Sequence, residues 1–146
     1  MATGALKTYN LAQVLITVNG LPLEGFGESD AVTFAPNSPI YESAVGADGE
    51  VTRSATNDRS GTLTCTLMST SLSNDLFSTF MTLSKTVGVG DTFPIYIKDL
   101  NSNDTLIASK CYIQDEAEMS FGRDASEREW TIYAANVSTI HGGALA

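Results

Sequence analysis

The stretch that decides the fold is Asn57–Met81, which reads NDRSGTLTCTLMSTSLSNDLFSTFM. It opens with five turn formers, after which threonines alternate with two leucines and Cys65. A period of two predicts a strand with one polar and one apolar face. The polar cluster Ser71–Asp75 follows, and its side-chain oxygens suit the cap of a helix that begins around Leu76. The stretch therefore predicts a turn, a strand, a cap and a helix in close succession.

The predicted helix has a narrow apolar stripe. Leu76, Phe77 and Phe80 recur at helical spacing, with Met81 and Ser84 one turn further on. An apolar stripe of this kind is the side that a helix buries against other elements. We therefore expect the helix to pack on a sheet.

A hairpin is predicted near the start of the chain. The first strand is predicted for Tyr9–Val18, and the Asn-Gly pair at 19–20 favours a type I′ turn because both residues tolerate positive φ. Leu21–Phe26 should pair back, but Pro22 makes this return strand short or places it at an edge. Another strand is predicted for Ala31–Ala35.

Pro36–Ser60 is poor in apolar periodicity and rich in Pro, Gly, Asn, Asp and Ser. Ile40–Val45 and Glu50–Ser54 are predicted as the arms of a hairpin around Ala47–Gly49. Long segments of this composition in compact domains tend to be functional or disordered. We expect this extended hairpin to become ordered against a neighbouring subunit.

The rest of the chain is predicted to be mainly β. In chain order, the predictions are a turn at Gly88–Asp91, a strand at Phe93–Leu100, a turn at Asn101–Asp104, a long run Thr105–Phe121 that bends near Asp115, and a strand Glu129–Ser138 with Trp130, Ile132 and Ala134 on one face. Seven or eight strands and one short helix predict a single domain over residues 1–146. Its expected fold is an antiparallel β-sandwich or open barrel with the helix over one end.

The charge balance excludes general electrostatic attraction to nucleic acid or anionic membranes. The chain has 8 Lys and Arg against 17 Asp and Glu, a net charge of −9, and only 17% of its residues are charged. Binding to phosphates needs a basic patch, and the cations are scattered. The surface must instead rely on Ser, Thr and Asn, which suits packing against copies of the same chain.

Two observations bear on the compartment in which the protein folds. Cys65 and Cys111 lie in alternating strand patterns and resemble buried small hydrophobes, with a disulfide between them as the alternative. The first residues lack the apolar core of a signal peptide, and no segment approaches the roughly 20 apolar residues of a membrane span. We expect synthesis and folding in a cytoplasm.

The residue types and their spacing predict no catalytic, cofactor-binding or metal-binding residues. His141 is the sole histidine and lies beside two glycines in the C-terminal tail. The run from Asp99 to Asp104 copies the opening of a calcium loop, but it lacks the central Gly and the final Glu, so a hairpin turn is favoured. Asp115 and Glu116 are neighbours that would point to opposite faces of a strand, whereas Glu118 shares a face with Glu116. A solvated strand face is the favoured interpretation of these carboxylates.

The chain resembles the tail tube proteins of contractile-tailed bacteriophages. The motifs that carry the resemblance stand in the family's order along nearly the whole chain. They are Gly25–Glu28 (GFGE), Gly46–Gly49 (GADG) followed by Arg53-Ser54, Asp58–Gly61 (DRSG) with the strand after it, Ser73–Leu76 (SNDL) and Arg128–Ile132 (REWTI). The resemblance implies a structural virion protein, not an enzyme. Members of this family are similar to subunits of bacterial secretion tubes.

The resemblance implies a homohexameric ring whose lumen is a β-barrel completed by six copies, with rings stacked into a tail tube. The implied partners are other copies of the chain, the tail sheath, the baseplate and tail terminator proteins, and genomic DNA that passes through the lumen without specific binding. The virion would be assembled from protein made in the host bacterial cytoplasm. The net acidity would keep DNA from sticking, with Glu116 and Glu118 as candidate lumen residues. Two alternatives remain open at this point, a tube subunit of a secretion or phage-like injection machine and a monomeric β-sandwich binding module.

Overall fold

The computed structural model describes residue 6 and residues 9–26, 31–86 and 91–143. A short 3₁₀ turn at Leu11–Gln13 precedes the first strand. Within the described residues the fold has ten strands and one α-helix: β1 Val14–Val18, β2 Leu21–Pro22, β3 Val32–Pro36, β4 Tyr41–Val45, β5 Val51–Ala55, β6 Gly61–Met68, α1 Ser73–Thr86, β7 Phe93–Asp99, β8 Thr105–Asp115, β9 Glu127–Ala134 and β10 Val137–Ile140.

Eight of the strands form one antiparallel sheet. Its order is β2-β1-β7-β8-β9-β6-β3, and β10 pairs with β8. β9 and β10 share one register along β8, since Cys111 lies opposite Ala134 and Ala108 lies opposite Val137. β8 therefore joins the two halves of the sheet. Among the described residues the sheet is not closed into a barrel, and β2, β3 and β10 each pair with another strand on one side only.

The core lies between the inner face of the sheet and helix α1. Phe77 is fully buried, with its ring centroid 5.6 Å from that of Trp130 and 6.4 Å from that of Phe93. Phe80 lies 4.4 Å from Phe93 on the same measure. The prediction of a mainly β, antiparallel fold with one helix is confirmed, and so is the burial of Phe77 and Phe80. Leu76, the third residue of the predicted stripe, is half-buried.

The strand in the decisive stretch is confirmed, and the helix begins earlier than predicted. β6 buries Leu63, Cys65 and Leu67 on one face, as the alternation predicts. Helix α1 starts at Ser73, three residues before the predicted start. The prediction was wrong there because two of the polar residues assigned to the cap form tertiary hydrogen bonds instead. The Ser73 hydroxyl accepts from the Glu24 N–H, and the Asn74 side-chain oxygen accepts from the Trp130 ring N–H at 3.0 Å.

The first hairpin has the predicted turn but shorter strands. Asn19 and Gly20 have φ of 52° and 81°, which a type I′ turn requires. The strand begins only at Val14, because the residues before it form the 3₁₀ turn. The Asn10 side chain caps this turn by accepting a hydrogen bond from the Ala12 N–H. The return strand β2 ends at Pro22, which has no N–H for a ladder.

Instead of pairing further, Leu23–Phe26 crosses from β1 to β6, and we call this segment the strap. The Leu23 N–H donates to Ile16, and the Met68 N–H donates to the Gly25 carbonyl at 2.7 Å. Phe26 forms an isolated bridge with Leu67. The strap therefore ties one side of the sheet to the other beside the start of α1.

Gly25 in the strap combines a positive φ with a close approach to a neighbour, so it is expected to tolerate alanine poorly. Its φ is +72°, and an added Cβ would lie 2.6 Å from the Ser71 Cβ. Gly20 has a similar φ of +81° with open space around it. We expect Gly20→Ala to lower the free energy of unfolding by about 1 to 2 kcal/mol through the backbone alone, and Gly25→Ala by at least about 1 kcal/mol more through overpacking. Urea denaturation checks this, and equal losses would contradict the close approach.

The C-terminal half differs from prediction at two boundaries. The long run expected for Thr105–Phe121 stops at Asp115, and the strand expected for Glu129–Ser138 is split into β9 and β10. The strand predicted at Phe93–Leu100 is confirmed as β7, one residue shorter. The turn predicted at Gly88–Asp91 lies outside the described residues, except for Asp91. Ten strands are found where seven or eight were predicted, and the division into β9 and β10 accounts for one of the additional strands.

Candidate functional site: an acidic groove and an exposed hairpin

The reactive residue types do not form a catalytic arrangement in the described part of the chain. Cys65 and Cys111 are free thiols, so the alternative of a disulfide is wrong. Burial raises the pKa of Cys65 to about 12 and that of Cys111 to about 11. A thiol with such a pKa stays protonated at neutral pH and is a poor nucleophile. His141 is exposed.

The calcium-like run after β7 is a hairpin turn. The Asp99 carboxylate accepts from the Asn101 N–H and side-chain amide, each at 2.8 Å, and from the Ser102 hydroxyl at 3.2 Å. These bonds hold the pKa of Asp99 below its usual value in spite of its burial. Its oxygens are used within the turn, as the favoured interpretation predicted. No group of three or more His, Cys, Asp or Glu suited to a metal occurs within the described ranges.

An acidic surface of the described chain is a groove of about 660 Å³, which we call the acidic groove. One wall is the outward face of β9 and the other is the segment after β8. Four carboxylates and four hydroxyls line it: Glu116, Glu118, Glu127, Glu129, Thr66, Thr131, Ser120 and Ser126. In this groove the pair predicted from sequence, Glu116 and Glu118, lies with a second pair.

The sequence prediction placed Glu116 and Glu118 together for a reason that the structure does not support. Both residues follow the end of β8, so they are not on one face of a strand. The sequence analysis did not select Glu127 and Glu129, although the alternation of buried and exposed residues along β9 indicates that they face outward. Trp130 is buried, so its odd-numbered neighbours along the strand face outward.

Two cations lie beside the four carboxylates of the groove, Lys85 and Arg128, and Arg128 donates to the Glu118 carbonyl at 3.1 Å. The Nζ of Lys85 lies 3.2 Å from a carboxylate oxygen of Glu116, with both side chains more than half exposed. An ion pair of this kind contributes little to stability. Beside the groove a row of hydroxyls crosses the outward face, where Thr33 lies opposite Thr64 and Thr64 opposite Thr131. This half of the sheet therefore presents a polar and acidic surface.

The second candidate surface is the hairpin of β4 and β5, whose arms confirm the prediction for this segment. Every residue from Tyr41 to Ala55 is exposed. The base is fixed by side chains. Asn37 donates to the Ser60 hydroxyl at 3.0 Å, and Ser38 donates to Asp58 at 2.7 Å. The hairpin is therefore held at its root and free along its length.

Asp58 is the centre of this root. It accepts from the N–H and the hydroxyl of Ser60 and from the hydroxyl of Ser38. These hydrogen bonds lower the pKa of Asp58 to about 2. The carboxylate is consequently ionised at all physiological pH values, and the root does not change with pH in that range.

The two faces of the hairpin differ in polarity. On one face Val45 lies opposite Val51, Ser43 opposite Arg53 and Tyr41 opposite Ala55, and the Arg53 guanidinium lies 4.4 Å from the centre of the Tyr41 ring. On the other face the cross-strand pairs are Glu42 with Ser54 and Ala44 with Thr52. An isolated two-stranded hairpin is marginally stable in water. Its apolar face is available to a partner.

No helix among the described residues is long and apolar enough to span a membrane.

Comparison with known proteins identifies a family and several relatives. The family model described as bacteriophage PhiTE tail tube protein matches residues 7–142. Structural protein ORF10 of Pseudomonas phage KPP10 is 28% identical over 147 residues, which cover 96% of this chain and 85% of that protein.

Solved structures with a similar fold come from contractile assemblies. The tube-terminating cap of the anti-feeding prophage has a TM-score of 0.64 at 7% identity, covering 96% of this chain and 95% of its own. A chain of the sheath–tube complex of the extracellular contractile injection system PVC has a TM-score of 0.62 at 14% identity, with 91% of each chain covered. The sheath/tube terminator of the same system has a TM-score of 0.61 at 12% identity, covering 94% of this chain and 100% of the terminator chain. These identities show a shared fold.

Proposed function

This chain belongs to the bacteriophage tail tube protein family, and from that premise we propose that its copies form hexameric rings stacked into the tube of a contractile phage tail. Genomic DNA would pass through the lumen of this tube into the host. The observation that carries the proposal is the family match over residues 7–142 of 146. The chain is a structural protein and not an enzyme, and as a phage tail protein it is a component of the virion.

The open edges of the sheet support assembly. β3 pairs with β6 on one side only, and β2 pairs only with β1. Unpaired strand edges favour association with another chain, and closing a sheet into a barrel removes them. In a ring of six copies these edges would be covered by neighbours. A heterologous contact repeated along an axis then gives a filament.

The structural neighbours support the proposed partners. They include a sheath–tube complex and two terminating proteins of contractile machines. We infer that this chain likewise contacts a tail sheath around the tube and a terminator at its end. Contact with a baseplate is proposed from the family alone. Synthesis in the host bacterial cytoplasm belongs to the same proposal.

We further propose that the acidic groove faces the lumen. DNA carries one negative charge per roughly 1.7 Å of its axis, so cations on the wall would hold it and carboxylates would repel it. The four glutamates of the groove present negative charge to the phosphate backbone of the passing DNA, and the threonine row beside the groove presents hydroxyls. Such a wall would let DNA slide without specific binding.

A second candidate is the tube of a phage-like injection machine, which would carry no packaged DNA. The likeness to proteins of the anti-feeding prophage and of an extracellular injection system favours keeping it. The two candidates share ring assembly and differ in cargo. A monomeric binding module is no longer favoured, because the family consists of tail tube proteins.

Assembly tests the proposal directly. The purified protein is expected to form rings or tubes at micromolar concentration, visible by negative-stain electron microscopy and by light scattering. A monodisperse monomer of 15.5 kDa at all concentrations and salts would contradict the proposal.

The cargo is tested by reversing the charge of the groove in a phage. Glu116→Lys with Glu118→Lys is expected to leave tubes intact, because exposed substitutions seldom shift stability by more than about 0.5 kcal/mol. Genome release should slow, since each new cation gives the DNA a place to bind. Glu116→Gln with Glu118→Gln is the matched control, which removes the same carboxylates without adding cations and should release DNA faster than the lysine variant. Unchanged ejection kinetics of the lysine variant at low salt would contradict the lumen assignment.

A further inference from the structure

The turn between β7 and β8, residues 99–104, holds the segment that precedes β1. We call this segment, residues 10–13, the first turn. The Leu100 N–H donates to the Gln13 carbonyl at 2.9 Å, and the Asn101 side-chain amide donates to the Asn10 carbonyl at 3.0 Å. The first turn is therefore attached through two neighbouring residues of the β7–β8 turn.

The same turn holds the segment that follows β10, residues 141–143, which we call the tail. The Gly142 N–H donates to an oxygen of the Asp104 carboxylate at 2.7 Å. The attachment is close, because a Cβ built on Gly142 would lie 2.8 Å from the Asn103 Cα. The φ of Gly142 lies outside the left-handed region, so glycine is required here for space and not for its backbone angle.

A continuous path of hydrogen bonds connects the two attachments. The Asn101 side-chain amide has two hydrogens, and it also donates to one oxygen of Asp99 at 2.8 Å. The other oxygen of Asp99 accepts from the Ser102 hydroxyl, and this hydroxyl accepts from the Asp104 N–H, each at 3.2 Å. Asp104 in turn holds the tail. Each link uses a different hydrogen, so all of them are present at once.

The centre of this path is buried, whereas its two outer links are exposed. Asp99 is 9% exposed and Ser102 is 6% exposed, and the bonds to Asn10 and Gly142 lie at the surface. Buried polar networks are rigid when every member is bonded, and a bond that is lost there is not readily replaced by water. A change at one attachment therefore disturbs the groups that position the other.

We propose that the β7–β8 turn couples the first turn to the tail, so that release of either segment loosens the attachment of the other. Such coupling is reciprocal, because each segment must change the binding of the other by the same factor. The inference goes beyond the proposed function and applies to a free subunit as well as to a subunit in a tube. A molecule that binds one released segment would thereby also release the other.

Gly142→Ala tests the coupling from the tail. The added methyl group would overlap Asn103, so the tail is expected to detach and its amide at position 142 to exchange with deuterium at least about tenfold faster. The Leu100 N–H reports on the first turn, and its exchange should become faster by about fivefold or more, the lower limit for coupled sites. Mass spectrometry with electron-transfer fragmentation measures both amides.

Gly143→Ala is the matched control, because a Cβ built on Gly143 meets no described atom within 4 Å beyond its chain neighbours. Both exchange rates should change less than about twofold in this variant. The amides of β6 are the internal reference for overall stability, and their exchange should stay unchanged in every variant. All variants are compared in the same assembly state, which light scattering establishes.

Asn10→Ala tests the coupling from the other side. It removes the cap of the first turn and leaves the β7–β8 turn and the tail unaltered. Loss of a cap costs about 1 kcal/mol, so exchange of the Gly142 N–H is expected to become about threefold faster. This variant tests the coupling without any change in the tail itself.

Three outcomes would overturn the proposal. The first is faster exchange at the substituted segment with unchanged exchange at the other segment. The second is a tail that stays protected in Gly142→Ala, since the close approach to Asn103 would then not hold. The third is a similar acceleration in β6, because the effect would then be a general loss of stability. Each of these outcomes leaves the proposed tube function standing.

Discussion

Replacing Phe77 by alanine is expected to lower the free energy of unfolding by about 3 to 5 kcal/mol, the range for large buried aromatic side chains. Phe77 is 0% exposed and lies between Trp130 on β9 and Phe93 on β7. Its ring therefore joins α1 to two strands that are not neighbours in the sheet. A cavity at this position would loosen the helix from both strands at once.

Phe121→Ala is the matched control, with the same side chain removed from a position that is 84% exposed. Its one described aromatic contact is with Arg128, whose guanidinium carbon lies 5.5 Å from the ring centre. We expect a loss of no more than about 1 kcal/mol. Urea denaturation followed by tryptophan fluorescence measures both variants, since Trp130 reports on the core. Similar losses for the two variants would show that Phe77 is not the centre of the core.

The sequence predicted those parts of the fold that local chemistry determines. Alternation around Cys65 was sufficient for β6, because a strand with one buried face must repeat every two residues. The turn at Asn19 was equally well determined, since few residue pairs accept two positive φ angles. The arms of the exposed hairpin followed from the turn formers between them.

Other features depend on contacts between distant segments, which local pattern does not contain. At the start of helix α1, the Ser73 hydroxyl accepts from the N–H of Glu24 in the strap, 49 residues earlier. β8 ends at Asp115, although the polar alternation continues beyond it. The two halves of the acidic groove are likewise brought together by the sheet order. The sequence indicates Glu116 as one of a pair of acidic residues. That Glu116 and Glu127 line the same groove can be seen only once the fold is known.

Deleting Ala44–Gly49 is expected to weaken tube formation while the subunit still folds. The deletion removes the turn and Val45, the cross-strand partner of Val51 on the apolar face of the hairpin. Burying a valine contributes about 1.5 to 3 kcal/mol, and 1.4 kcal/mol corresponds to a factor of ten in association. The protein concentration needed for assembly should therefore rise at least about tenfold. Electron microscopy and light scattering over a concentration series measure it.

The subunit should tolerate this deletion, because every residue removed is exposed and the root is held by bonds outside the deleted segment. Shortening a loop by a few residues changes its closure free energy by only a few tenths of a kcal/mol. Thr52→Ala, on the polar face of the hairpin, is the control for assembly and should change the required concentration less than about twofold. Normal tubes from the deletion variant would contradict a role of the hairpin in assembly. A variant that unfolds would instead show that the hairpin stabilises its own subunit, which its exposure argues against. Because every residue of the hairpin is exposed, we expect the apolar side chains on one of its faces to contact a neighbouring copy in the tube.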